Sequence, residues 1–239
     1  SGSLTSATST TFAVTSGTAT TIALNGGNNQ SATVGTAVTT APSVRVTDAQ
    51  GNAVSGVSVT FATGTGSGSL ASGTTVTTDS SGISSSPAWT LGTTAGANTL
   101  TATSGSLSGS PITFSATGTA GTASQLTIDN PLDITVGGTR ATYTVTLQDA
   151  SGNTATAEAS DAGGVTVILS ASPSGSSGVF YDALTSGNIV TSVTIPSGSS
   201  TETVYFTATT AGTYTVSATS SPLTAATDSI VVTEQLLVW

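Results

Sequence analysis

The chain is predicted to be all-β, built as two β-sandwiches in tandem, and three observations carry that prediction. Val, Ile and Thr recur in alternation with small polar residues, the pattern of a pleated sheet with one face buried. Gly and Asx residues punctuate the alternating runs, and no stretch keeps a 3.6-residue period. A block near the start of the chain also returns about a hundred residues later.

Val44-Arg45-Val46-Thr47-Asp48-Ala49-Gln50-Gly51-Asn52 is answered by Val145-Thr146-Leu147-Gln148-Asp149-Ala150-Ser151-Gly152-Asn153, and the two aspartates stand 101 residues apart. Thr33-Val34-Gly35 is answered 102 residues on by Thr135-Val136-Gly137, and Thr93-Thr94-Ala95-Gly96 116 residues on by Thr209-Thr210-Ala211-Gly212, so the second copy carries an insertion of about 14 residues between these anchors. A period near 100 residues is the size of one immunoglobulin-like sandwich, and the predicted class is therefore tandem immunoglobulin-like β-sandwiches.

Taken in order, the alternation predicts strands over 20–24, 43–48, 58–63, 74–78, 83–91, 97–104 and 111–117 in the first copy. In the second it predicts strands over 124–128, 141–148, 165–170, 190–195, 202–209, 212–219 and 228–233. Within the run from Thr203 to Thr209, Val204, Phe206 and Ala208 are expected on one side, with Thr203, Tyr205 and Thr207 on the other. The repeats are placed at 17–118 and 119–234. Residues 1–16 read as the final strand of a preceding repeat or a donated strand. Residues 235–239 read as the start of a following repeat or a C-terminal strand.

Composition narrows the chemistry. Charged residues are 5% of the chain, His, Cys and Met are absent, and Arg45 and Arg140 are the two cations, giving a formal charge of −9. Without His there is no imidazole base or ligand. Without Cys there is no thiol nucleophile, zinc cluster or disulfide. The acidic balance argues against nucleic acid, which needs clustered cations, and against an anionic membrane surface. No apolar run approaches the ~20 residues that span a bilayer, so no membrane insertion is expected. No basic-then-apolar leader opens the chain, which reads as a mature or excised segment.

The same first-copy residues carry a family resemblance. Ala32-Thr33-Val34-Gly35-Thr36, the run from Pro42 to Val57, Val59-Thr60-Phe61, Thr78-Asp79-Ser80-Ser81-Gly82, Trp89-Thr90-Leu91-Gly92 and Ala95–Ala102 follow one another in family order. This copy resembles the group 1 bacterial immunoglobulin-like domain, the repeat of invasin and intimin stalks. The second copy is more divergent and has Tyr205-Phe206-Thr207 where the Trp-Thr-Leu-Gly box is expected. The resemblance implies a structural segment of an extracellular, cell-surface stalk, adhesin or filament, and it implies no catalytic residues and no cofactor. Its expected partners are neighbouring repeats or copies of itself in a fibre, and a glycan or host receptor. A carbohydrate- or receptor-binding module and a viral or phage decoration domain are the alternatives.

Candidate sites follow from residue type. The Asp48–Asn52 and Asp149–Asn153 turns offer oxygens for Ca²⁺, with Asp129, Asp133 and Asp161 as further donors. Calcium takes six to eight oxygens, and each turn supplies one carboxylate and one amide, so Asx-stabilised hairpin turns are the preferred reading. No catalytic, cofactor-binding or metal-ligating residue is assigned. Glu158, Glu202 and Glu234 are too dispersed for a glycosidase pair. Trp89 is expected as the central core aromatic, with a sugar-stacking platform as the alternative. Tyr143, Tyr181, Tyr205 and Tyr214 are expected to divide between core edge and sheet surface. Asn29-Gln30-Ser31 is a nominal N-glycosylation triplet, and the many Ser and Thr hydroxyls are potential O-glycan carriers.

Overall fold

The structure is a computed structural model that describes residues 15–66, 68–129, 132–159, 161, 163–173 and 178–235. It is all-β among the described residues, and the chain divides into two compact units at Gly118/Thr119. Residues 1–14 and 236–239, on which the expectations for the terminal strands mostly fall, lie outside the described residues. Thr15, Ser16 and Gln235 belong to no strand.

Unit 1 runs through β1 (Thr21–Gly26), β2 (Gln30–Thr33), β3 (Ser43–Thr47), β4 (Ser58–Thr63), β5 (Ser69–Leu70), β6 (Thr75–Thr77), β7 (Ile83–Ser85), β8 (Trp89–Thr90), β9 (Gly96–Thr103) and β10 (Ile112–Thr119). One sheet has the order β1-β3-β7, the second β2-β10-β9-β4-β6, and β5 pairs with β8 alone. Unit 2 runs through β11 (Gln125–Asp129), β12 (Ile134–Thr135), β13 (Ala141–Gln148), β14 (Val165–Ser172), β15 (Val179–Tyr181), β16 (Ile189–Val190), β17 (Ser192–Ile195), β18 (Thr201–Thr207), β19 (Gly212–Thr219) and β20 (Ala226–Thr233). Its sheets are β11-β13-β18-β15-β16 and β12-β20-β19-β14-β17. Each unit is an immunoglobulin-like sandwich whose inward side chains come from both sheets.

Alternation sets the faces. Val44 and Val46 of β3 are buried while Arg45 between them is exposed, and on β13 Tyr143, Val145 and Leu147 are buried between outward threonines. Val204, Phe206 and Ala208 are likewise buried, at 0%, 0% and 1% exposure. The first core is built on Trp89, Phe61, Phe114, Leu91 and Leu100. The second gathers rings around Phe206, whose centroid lies 6.3 Å from Tyr143, 5.3 Å from Phe180 and 5.6 Å from Tyr214.

Two predicted strands differ in the structure. The single strand expected over 83–91 is two, β7 and β8, because Pro87 has no N–H for a ladder and ends the first piece. Ser86 N closes that piece by donating to Pro42 O at 2.8 Å, after which β8 joins β5, with Leu70 opposite Trp89. The strand expected over 190–195 is likewise divided, with β16 in one sheet and β17 in the other. β2, β5, β12 and β15 escape the prediction. They are two to four residues long, too short to show a period.

Candidate functional site: the turn carboxylates and the surface around Arg140

The repeated Asp-Ala-x-Gly-Asn turns close in the same way in both units. Asp48 N donates to Asn52 O at 2.9 Å and Gly51 N to Asp48 O at 3.1 Å; the bonds of Asp149 with Asn153 and Gly152 have the same two lengths. Gly51 and Gly152 sit at φ 82° and 83°, a conformation that disfavours a Cβ. The aspartate side chain then turns inward over its own loop.

In unit 1, Asp48 Oδ1 accepts from Gln50 N and Asn52 N, both at 2.9 Å. Its Oδ2 accepts from Asn52 Nδ2 at 3.0 Å and from Gly17 N at 2.8 Å. In unit 2, Asp149 Oδ1 accepts from Ser151 N and Asn153 N at 2.9 Å, and Oδ2 from Asn153 Nδ2 and Gly121 N at 2.9 Å. Both carboxylates are buried, at 4% and 3% exposure. Each therefore ties three points of its own turn to one distant backbone amide, at the residue where the chain leads into that unit.

These bonds act on the ionised form. The Gly17 amide, with the Asn52 side chain next, lowers the Asp48 pKa to about 2. Burial opposes ionisation of Asp149, yet the Asn153 side chain and the Gly121 amide overcome it and hold the pKa below the ordinary carboxylate value. The oxygens that the sequence offers to calcium are here occupied by N–H donors. Among the described residues no three acidic side chains gather as a metal-holding group.

The other acidic candidates are scattered. Asp133 Oδ1 accepts from Val231 N at 2.9 Å and Asp161 Oδ2 from Glu158 N at 3.1 Å, while Asp129 ends β11. Glu202 lies on β18 opposite Val145. Asn29 stands exposed at φ 54°, on the turn before β2. Trp89 is 1% exposed in the first core, and its indole N–H has no partner among the described residues. Tyr143 and Tyr214 are buried, whereas Tyr181 and Tyr205 are half-buried on the outer face of the β15–β18 pair.

A second surface feature belongs to unit 2. The Arg140 guanidinium carbon sits 3.4 Å from the Tyr181 ring centroid, a cation–π contact, and Nη1 donates to Ala183 O. Asp182 caps the neighbouring turn through Asn188 N at 2.7 Å and Nδ2 at 3.1 Å, and those bonds lower its pKa. Beside Arg140 a groove of about 470 Å³ is lined by Leu132, Ile134, Ala141, Leu184 and Thr233 among others. Leu132, Leu184 and Ile189 are 72%, 42% and 63% exposed.

Sequence reading singled out the aspartates but missed their distant partners, Gly17 and Gly121. A signal was present: Gly17-Thr18-Ala19-Thr20 recurs as Gly121-Thr122-Ala123-Ser124. Fold and site together define a tandem immunoglobulin-like sandwich protein with a repeated carboxylate anchor. No protein-family model and no curated protein matches the chain. Among solved structures it is similar to InvD of Yersinia pseudotuberculosis, at 21% identity and TM-score 0.42 over 86% of this chain, and it spans 55% of that one. It is also similar to the D0–D1 domain of intimin, at 17% identity and TM-score 0.32 over 90% of this chain and 98% of that one. A family 2 glycosyl hydrolase of Bacteroides cellulosilyticus matches at 14% identity and TM-score 0.36, over 83% of this chain and 23% of the enzyme.

Proposed function

We propose that the chain is a structural segment of a bacterial extracellular stalk, adhesin or filament, with repeats at 17–118 and 119–234. The observation that carries this reading is the doubling. Two self-contained sandwich cores follow one another in one chain, and each holds its own lead-in residue through the same buried carboxylate. Such units gain length by repetition, because each buries its own core. The family-ordered motifs of the first copy support the same reading. The test is protease accessibility of the parent protein on intact cells, with low-dose electron imaging. Surface cleavage and an elongated projection are expected; protection inside the cell would remove the proposal. Incubation with candidate polysaccharides is expected to show no turnover.

A finer form of this reading is assembly by strand donation between subunits. It is motivated by the sequence patterns of Thr10–Thr15 and Gln235–Trp239 and by the edge positions of β6, β7, β16 and β17. Denaturing mass measurement of the native material tests it. A chain much longer than this one leaves strand exchange unnecessary.

The exposed Leu132 and Leu184 in the groove beside Arg140, with exposed Ile189 opposite Tyr181, favour a second reading, in which unit 2 also binds a glycan or host receptor. Glycan-array and cell-binding assays should then give a signal that Leu184→Asp abolishes. Equal signals from both proteins would exclude this surface.

A further inference from the structure

We propose that Asp48 and Asp149 are mechanical latches, the contacts that bear tension entering each unit before it reaches the first strand's hydrogen bonds. The inference takes its biological use from the stalk reading above, but its physics rests on where the bonds lie along the chain.

In unit 2, β10 ends at Thr119 and the latch grips Gly121, so Ala120 alone separates them. The next bonds come at Ser124, whose N–H donates to Gln148 O at 2.8 Å and whose carbonyl accepts from Thr224 N at 2.9 Å. Only then does the β11–β13 ladder begin, at Gln125 opposite Gln148. Unit 1 repeats the order: Gly17 on Asp48, then Thr20 N to Thr47 O and Ser108 N to Thr20 O, each at 2.9 Å, then the β1–β3 ladder. Along the described residues, a pull arriving from the N-terminal side reaches the carboxylate before the bonds of these first strands.

Two features suit the latch to load. A hydrogen bond to an ionised acceptor is shorter and stronger than one between neutral groups. The carboxylate cannot swing to follow a departing amide either, because Gln50 and Asn52, or Ser151 and Asn153, hold its remaining acceptor sites.

Behind the latch the strands resist as a set. Gln125 bridges Thr224 in parallel, and β12 pairs in parallel with the end of β20, Ile134 with Val232 and Thr135 with Thr233. Drawing the N-terminal side of unit 2 back and the end of β20 forward slides parallel partners past each other. The bonds then share the load and do not open one by one. The latch holds the first strand in register for that shear.

The chain has no Cys, so single introduced thiols give unique pulling points. Constant-force unfolding of the full chain is measured between the C-terminus and either Thr117→Cys, ahead of the latch, or Asp129→Cys, beyond it. Both positions are exposed. Asp149→Asn is expected to speed unfolding of unit 2 roughly tenfold more when pulled from position 117 than when pulled from position 129, where only the turn's own bonds are lost. Gly121→Pro removes the donor from outside the Asp149–Asn153 turn, while also fixing the backbone at 121, and it should act in the same way. Equal acceleration from both handles would reduce the aspartate to a general stabiliser, and no acceleration from position 117 would remove the latch. Either failure leaves the stalk reading standing. A negative result on intact cells would remove the stalk and leave the force measurement intact.

Discussion

The two units solve one folding problem with different side chains. In unit 1 the strand beside β3 is broken at Pro87, and Trp89 fills the core from the short β8. In unit 2 the corresponding strand is continuous as β18, and Phe206 does the same work with three neighbouring rings. The loop that follows is pinned in both, by different chemistry. Asn98 Oδ1 accepts from Gly92 N at 3.0 Å in unit 1. Tyr214, the residue in the same place, donates its hydroxyl to Thr210 O at 2.9 Å. The carboxylate anchor, by contrast, repeats the same four bonds, with Asn153 Nδ2 reaching Asp149 Oδ1 as well at 3.1 Å. Core volume and a satisfied loop are needs that many residues meet, whereas holding a distant amide and a tight turn together takes one geometry.

The sharpest way to break that comparison is to empty each core. Trp89→Ala and Phe206→Ala should each cost about 3–5 kcal/mol and lower one of two unfolding transitions, which calorimetry resolves. A shift of both transitions together would mean that the cores are not independent. Loss of the anchor comes next: Asp149→Ala should lower the stability of unit 2 by about 2 kcal/mol in urea, since it leaves several buried N–H groups unpaired.

Acid tests the same anchors. Their pKa values are depressed on folding, so their stabilisation is complete above the unfolded value of 3.8. It is lost as pH falls toward the folded value, about 2 for Asp48. Urea midpoints of the native chain should therefore fall between pH 4 and pH 2, more steeply than those of Asp48→Asn/Asp149→Asn. Parallel curves would show that other carboxylates carry the acid response. Smaller still, Tyr214→Phe should cost about 1 kcal/mol through its one hydroxyl bond. Ser86→Ala should cost nothing, because Ser86 Oγ is buried without a partner among the described residues.

The long strands were legible because alternation over five to eight residues can be seen locally: β13 and β19 stand where the pattern places them, at 141–148 and 212–219. The buried trio Val204, Phe206 and Ala208 follows from the same period. Pro87 was visible in the sequence, between Ser84-Ser85-Ser86 and Ala88-Trp89, but the expected strand from Ile83 to Leu91 ran through it. β5 and β15 had no local signal at all. They exist because Leu70 and Phe180 find Trp89 and Phe206 across the sheet.

The sequence by itself determined the all-β class, the doubling and the two Asx turns, since each of these is written in spacing and turn chemistry within a few residues. Only the tertiary structure decided what the turn carboxylates hold, where the short edge strands pair, and which tyrosines reach the surface. Those outcomes depend on partners from about 20 to about 100 residues away along the chain, whose meeting is fixed by sheet packing and leaves no periodic trace in the residues themselves.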